Sequence, residues 1–238
     1  MNRPDLTLVL ACYNEESIFN ESIEEIIRTL EQTKFSFEIL FVDDKSSDKT
    51  AQLIRDACRR YLFCRGLFHS KNKGRGATVT DGILASRGYV VGYIDIDLEV
   101  SPLYIPLMIR WIREDRADVI IGRRVYRTSI GSLPREIFSV GYQKLSRFLV
   151  DTGGFDTETG YKFFNRKKIL PILKQATHPH WFWDTEIIVY GKRAGLRIAE
   201  IPVLFIRRFD KKSSVRVLRD ILDYTVSLWG FRKKLKSA

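Results

Sequence analysis

The chain has 238 residues, 45% of them hydrophobic, which suits one large α/β domain or two small ones. Its 40 Lys and Arg against 29 Asp and Glu give a formal charge of +11. No uninterrupted apolar run reaches the ~18 residues of a membrane span, the N-terminus has neither a basic n-region nor a small-residue cleavage site, and Cys12, Cys58 and Cys64 lack metal-ligand spacing, so a spanning protein, a secreted chain and a disulfide scaffold are all disfavoured.

Taken in order, "LTLVLAC" (6–12) reads as a buried strand, and Ile18, Ile23, Ile26, Ile27 and Leu30 then recur at helical spacing. "FEILFVDD" (37–44) is a second strand. "SSDKTAQLIRDACRRY" opens with capping residues and continues as a helix, with Asp48 and Asp44 suited to caps. "YVVGYID" (89–95) and "DVIIG" (118–122) are further short strands. Such β-α-β-α alternation predicts a mostly parallel sheet covered by helices on both faces. Ligands bind such sheets outside the carboxyl ends of the strands. Tyr13, Asn14 and Glu15 follow the first strand, Asp43 and Asp44 the second, Asp95 and Asp97 a third, and Arg123 and Arg124 a fourth.

The pattern changes near residue 125. "RTSIGSLPREIFSVGYQKLSRFLV" reads as a loop and an amphipathic helix, "DTGGFDTETGYKFFNRK" (151–167) as irregular chain rich in Gly and Thr, and "RIAEIPVLFIRR" (197–208) as a late strand. Leu218, Ile221, Leu222, Thr225, Leu228 and Trp229 share a stripe on a C-terminal amphipathic helix. From Arg207 onward there are ten Lys/Arg against Asp210, Asp220 and Asp223. The aromatics do not interleave with this basic tail as a stacking platform would, so nucleic acid is not an expected partner.

Asp95, Asp97 and Glu99 are spaced by two at the end of an apolar run. On a regular strand they would share a face and repel. Carboxylates this close need a cation, a proton or open water. Oxygen ligands without nearby His or Cys suit Mg²⁺ or Mn²⁺, which takes one or two carboxylates and completes its shell with water and phosphates. The expectation is a chain that turns out of the sheet at Asp95 and holds a metal–diphosphate. His178 and His180 lack a third ligand at metal spacing and are not expected to bind metal.

An ordered set of segments also carries a resemblance: "ACYNEE" (11–16), "VDDKSSDKT" (42–50), "NKGRGATVTDGILASRG" (72–88), "DIDLEVSP" (95–102), "VIIGRR" (119–124), "DTETGYKFF" (156–164), "WDTE" (183–186) and "AEIPVLFIRR" (199–208). In this order they resemble family 2 glycosyltransferases of the GT-A fold, in particular the dolichyl- and polyprenyl-phosphate sugar synthases. The resemblance implies one catalytic domain: a nucleotide-sugar half (1–125), an acceptor half (126–214) and an amphipathic basic C-terminal helix and tail (215–238). Ala11, Tyr13, Glu15 and Asp43 would frame the nucleotide, with Lys73 of "NKGRGA" beside the donor. Asp95, Asp97 and Glu99 would hold Mg²⁺ or Mn²⁺ on the diphosphate. Arg124, Arg135, Ser139, Arg208 and Ser213 would grip the acceptor phosphate, because an arginine fork pairs with phosphate oxygens. Asp97, Arg124, Asp184 and Glu186 form the implied catalytic set. Asp184 and Glu186 are assigned mainly to positioning, since an anionic phosphate acceptor needs no strong base. Asp156 is expected to order the site or to occupy a turn.

The implied reaction is inverting transfer of a sugar from a nucleotide-diphosphate sugar, of GDP-mannose or UDP-glucose type, to polyprenyl or dolichyl phosphate. It implies peripheral residence on the cytoplasmic face of an anionic membrane and leaves open a membrane-anchored partner subunit. Two other classes stand beside it: transfer to a sugar hydroxyl in a surface polysaccharide, and a non-catalytic module that binds membrane or nucleic acid.

Overall fold

The computed structural model describes residues 3–126, 146–207 and 217–237, the side chains of the last helix from Tyr224 onward. Its strands are β1 (Leu6–Cys12), β2 (Phe37–Asp43), β3 (Cys64–Phe68), β4 (Val90–Ile94), β5 (Val119–Tyr126), β6 (Tyr161–Asn165) and β7 (Ile198–Phe205). Its helices are α1 (Phe19–Glu31), α2 (Thr50–Arg60), α3 (Arg75–Ala85), α4 (Ile105–Arg113), α5 (Arg166–Leu173), α6 (Trp183–Arg193) and α7 (Val217–Ser237). Residues 146–150 are also helical.

The strands form one seven-stranded sheet in the order β3-β2-β1-β4-β6-β5-β7. All neighbours are parallel except the pairs that β6 makes with β4 and β5. Side chains alternate along each strand, so β1 sends Leu8 and Leu10 into the layer beneath α1 and α4, and Val9 into the layer of α3 and α6. Both faces are thereby buried, which is why the parallel strands read as continuous apolar runs. The fold is the expected α/β, GT-A-like sheet flanked by helices, with a C-terminal helix.

Two expectations are corrected. The segment 151–167 is not irregular throughout, because Tyr161–Asn165 is β6, buried along its length and inserted antiparallel between β4 and β5. Lys162 masked it: a lysine inside a strand reads as polar, yet here it is wholly buried on an ion pair. The second correction concerns α7. Its described inner face is Tyr224, Leu228, Phe231 and Leu235, packed with Phe182 and Tyr190 of the α6 region. Thr225 lies outside, and Trp229 is 53% exposed beside Val226 at 71%. The stripe that follows Leu228 by steps of three and four runs through Phe231 and Leu235, so Trp229 falls roughly 100° away.

Candidate active site

β2 and β3 lie on one side of β1 and β4 lies on the other, so the crossover direction reverses between β1 and β4. A crevice opens at such a switch point outside the carboxyl ends of the strands. Cys12 is level with Asp43 in the β1–β2 register, and Val9 with Tyr93 in the β1–β4 register. The residues that follow these strands therefore share one rim.

The loops after β1 and β2 are stitched together. Asn14 N–H donates to Ser46 Oγ (3.0 Å) and Ser47 N–H to Asn14 Oδ1 (2.8 Å). Glu15 N–H donates to Thr50 Oγ1 (2.8 Å) and Glu16 N–H to Asp48 Oδ2 (3.1 Å). Asp48 also accepts from Thr50 N–H at 2.9 Å, bracing the first residue of α2 from one position before its N-cap, Lys49. The result is a fixed wall in which Ala11 ends the strand, Tyr13 is half exposed and Asp43 is buried, its carboxylate 3.4 Å from Ser46 N. An aromatic face beside a buried acceptor suits a nucleobase.

Asp44 closes the floor. It accepts from the backbone N–H groups of Lys73 and Gly74, both at 2.8 Å, and pairs with His69 Nδ1 at 2.8 Å. Burial would raise its pKa, but the His69 contact and the two N–H bonds outweigh that and hold it below the usual carboxylate range. His69 Nε2 lies 3.0 Å from Asp81 Oδ2, outside hydrogen-bonding geometry. Lys73 Nζ is bonded to Asp81 at 2.6 Å, so its ammonium points along α3 in this state. Gly74 takes φ +90°, which lets the chain turn into α3 with His180 and Pro179 against it.

β4 ends at Ile94, and the chain leaves the sheet at Asp95, as expected from the repulsion of three acids on one strand face. Ile96 and Asp97 form the turn, and Leu98 is left-handed at φ 53°. An apolar side chain gains nothing locally from that conformation, so strain of about 1 kcal/mol or more is stored beside the acids. Glu99 N–H donates to Asp97 Oδ1 at 3.3 Å, and Asp95 N–H donates to Gly160 O at 3.1 Å. A Cβ on Gly160 would sit 1.8 Å from Asp95 Oδ2, so only glycine leaves space for this carboxylate.

Beneath Asp95 runs a chain of alternating charges. Arg75 donates to Asp95 Oδ1 through Nε (3.0 Å) and Nη2 (2.7 Å), and to Asp184 Oδ2 through Nη1 (2.5 Å). Asp184 Oδ1 accepts from Lys162 Nζ at 2.7 Å and from the Tyr93 hydroxyl. Lys162 also donates to the carbonyls of Thr157 (3.0 Å) and Thr159. Burial lowers the Lys162 pKa, against the raising influence of Asp184. Burial raises the Tyr93 phenol, and the Asp184 charge raises it further. Trp181 covers the Arg75 guanidinium at 4.5 Å. Arg75, Tyr93, Lys162 and Trp181 were not singled out from sequence, although a lysine in "GYKFF" was a signal that a buried partner was needed.

The remaining expected residues divide into three groups. Arg124 is at the edge of the site but forks onto Asp156, with Nε at 2.9 Å and Nη2 at 2.8 Å, and reaches Glu158 at 2.9 Å. These contacts tie Arg124 to the 156–160 loop. Burial would raise the Asp156 pKa, and the Arg124 charge overrides it, leaving the carboxyl below its ordinary value. Asp156 N–H in turn donates to Glu200, so Asp156 ties its loop to both β5 and β7. Glu186 is buried and accepts from His178 N–H at 2.7 Å, away from the Asp184 network, and burial raises its pKa. Two residues apart on α6, Asp184 and Glu186 project in different directions. Arg135, Ser139, Arg208 and Ser213 lie outside the described residues.

No three His, Cys, Asp or Glu side chains among the described residues converge as a closed metal cage. The Asp95–Asp97 turn offers hard carboxylate oxygens, with Gly160 leaving room for the Asp95 carboxylate. That donor set fits Mg²⁺ or Mn²⁺ completed by water and diphosphate oxygens, and not zinc.

A model of the glycosyl transferase family 2 matches residues 7–172. Glycosyltransferase AglD of Haloferax volcanii is 29% identical over 229 residues, covering 92% of this chain and 35% of AglD. Dolichyl-phosphate beta-glucosyltransferase ALG5A of Trichomonas vaginalis is 29% identical, covering 83% of this chain and 64% of that protein. The dolichyl-phosphate beta-glucosyltransferase of Dictyostelium discoideum is 26% identical, covering 95% and 77%. The chain thus spans about a third of AglD and just under two thirds of ALG5A. Glucosyl-3-phosphoglycerate synthase of Mycobacterium tuberculosis, crystallised with Mn²⁺, UDP and glucosyl-3-phosphoglycerate, shares the fold with a TM-score of 0.69 at 18% identity, over 95% of this chain and 80% of that one. The same synthase was also crystallised with Mg²⁺ and UDP. With the family model spanning the β1 rim, the Asp95–Asp97 turn and the loop under it, the chain belongs to glycosyl transferase family 2.

Proposed function

We propose that this chain transfers a hexose from a nucleoside-diphosphate sugar to a polyprenyl or dolichyl phosphate, using Mg²⁺ or Mn²⁺. The observation that carries the proposal is the Asp95–Asp97 turn at the switch point, flanked by the β1–β2 wall and backed by Arg75. The names of the Trichomonas and Dictyostelium relatives favour glucose and the dolichyl acceptor.

Tyr13 and Asp43 would hold the base, and the Asp95–Asp97 pair would hold the cation on the diphosphate. When bound, the cation supplies electrophilic stabilisation of the leaving diphosphate. The chain's own residues fix the geometry: Arg124 and Lys162 clamp the 156–160 loop under Asp95, which supplies proximity and orientation. The described acids favour a phosphate acceptor over a sugar hydroxyl. Both Asp184 oxygens are committed to buried cations and a phenol, and Glu186 is turned to the His178 loop, away from the Asp184 network, so neither is placed as a base beside Asp95. A phosphate acceptor arrives already ionised and needs no base.

No helix among the described residues is long and apolar enough to cross a membrane. Peripheral binding to an anionic cytoplasmic leaflet is supported by α7, whose outer face carries exposed Val226 and Trp229 with Lys233 and Lys236 beside them. Trp with basic neighbours suits the headgroup region.

The donor assignment is tested by thermal unfolding with UDP, GDP and their sugars, with and without Mn²⁺. A ligand at about a hundred times its dissociation constant adds about 2.7 kcal/mol of stability. The expected result is a midpoint rise of several degrees for one nucleotide, larger with Mn²⁺. No shift with any of them would count against a nucleotide-sugar site.

A further inference from the structure

Asp95 is engaged at both carboxylate oxygens. Oδ1 receives two N–H bonds from Arg75, at 3.0 and 2.7 Å, and Oδ2 lies against the Gly160 backbone. The Asp95 side chain is 40% exposed, so solvent and ions reach it, yet the nearest positive charge is already in the protein. Arg75 is not a loose surface arginine that drifts off at little cost. Its Nη1 is tied to the buried Asp184 at 2.5 Å, and its guanidinium lies 4.5 Å from the Trp181 ring centre and 5.5 Å from that of Tyr93. Asp184 is in turn held by Lys162 and Tyr93.

A divalent cation that approaches Asp95 alone therefore meets a fixed guanidinium bonded to the oxygen it needs. Like charges this close repel strongly where solvent is restricted. A nucleoside diphosphate reverses the balance, because its negative oxygens neutralise the added charge and complete the cation's shell. We infer that Arg75 is the resident counter-cation of Asp95, so that the divalent cation enters this site together with the nucleoside diphosphate rather than ahead of it. Arg75 is thus a positioning residue that sets the order of binding. The inference rests on the proposed use of a divalent cation.

The test is direct Mn²⁺ binding, followed by the electron paramagnetic resonance signal of free Mn²⁺, for wild type, Arg75→Gln, Arg75→Met and Arg75→Lys. Each is titrated with Mn²⁺ alone and again with UDP or GDP present. Wild type is expected to bind Mn²⁺ at least tenfold more weakly alone than with the nucleotide. Arg75→Gln is expected to bind Mn²⁺ alone at least tenfold more tightly than wild type, which shrinks the dependence on nucleotide. Glutamine leaves Asp184 paired with Lys162, so the buried network keeps a counter-ion. Should that variant fail to fold, Arg75→Met, which also removes the charge, decides and should likewise bind Mn²⁺ alone more tightly than wild type, whereas Arg75→Lys keeps the charge and should stay close to wild type. Equal affinity of the uncharged variants and wild type for Mn²⁺ alone, with nucleotide-dependent binding intact, would overturn the role of Arg75 and leave the metal proposal standing. Absence of Mn²⁺ binding in all proteins, even with nucleotide, would overturn the metal proposal and this inference with it.

Discussion

Asp97→Asn is expected to lower kcat/KM for sugar transfer on the order of 10³-fold while leaving the thermal midpoint within about 2 °C of wild type. Loss of a preorganised charge at a leaving group typically costs 10²–10³ in rate. In the proposed site Asp97 would hold the cation, whose Lewis-acid action supplies several kcal/mol of transition-state stabilisation. Asp97 sits in a partly exposed turn after β4, not in either core, so its removal creates no cavity. Asparagine also keeps an oxygen able to accept the Glu99 N–H bond. The measurement is steady-state transfer at several Mn²⁺ concentrations beside a melting curve. A variant with wild-type turnover would show that the turn at Asp97 does not handle the donor.

Asp184→Leu is expected to be the most destabilising single change in the site. The wild-type carboxylate is buried and neutralises two cations, the wholly buried Lys162 and Arg75. Deleting one partner of a buried ion pair leaves an uncompensated charge and costs about 3–5 kcal/mol. For a chain of this size that lowers the midpoint by roughly 6–20 °C. The leucine matches the aspartate in branching and heavy-atom count and is the larger of the two, so a cavity is not the cause. The control is the double variant Asp184→Leu with Lys162→Met, which removes both buried charges of the pair. It should recover at least half of the loss, because an apolar replacement of a buried pair is often near neutral. If the single variant melts with wild type, the charge chain under Asp95 is not what holds the 156–160 loop.

Much of the fold was legible because apolar runs and helical periodicity are local signals. β1, β2, β4, β5 and β7 read as strands, since burial on both faces demands continuous hydrophobic sequence. β6 was not legible: "GYKFF" carries a lysine that only makes sense once Asp184, 22 residues later, is brought to it by the fold. β3, "CRGLF", has an arginine and a glycine in five residues and lies at the sheet edge, where one neighbour suffices. In the site, the acids at strand ends were legible because the switch-point rule ties sequence position to location. Their partners were not. That Arg124 would meet Asp156 and Glu158, or that Arg75 would bridge Asp95 and Asp184, depends on contacts across 20 to 109 residues. Asp184 and Glu186 looked equivalent in "WDTE", and only the direction of α6 separates a member of the charge network from a support of the His178 loop.

The most direct test of the proposed chemistry is to incubate the protein with radiolabelled UDP-glucose or GDP-mannose, Mn²⁺ and dolichyl phosphate in detergent, and to measure label in the lipid phase. The expected result is a metal-dependent, mild-acid-labile glycolipid that appears with one donor and is lost in Asp97→Asn. Label transferred to added glycans but never to the lipid phosphate would contradict the proposed acceptor.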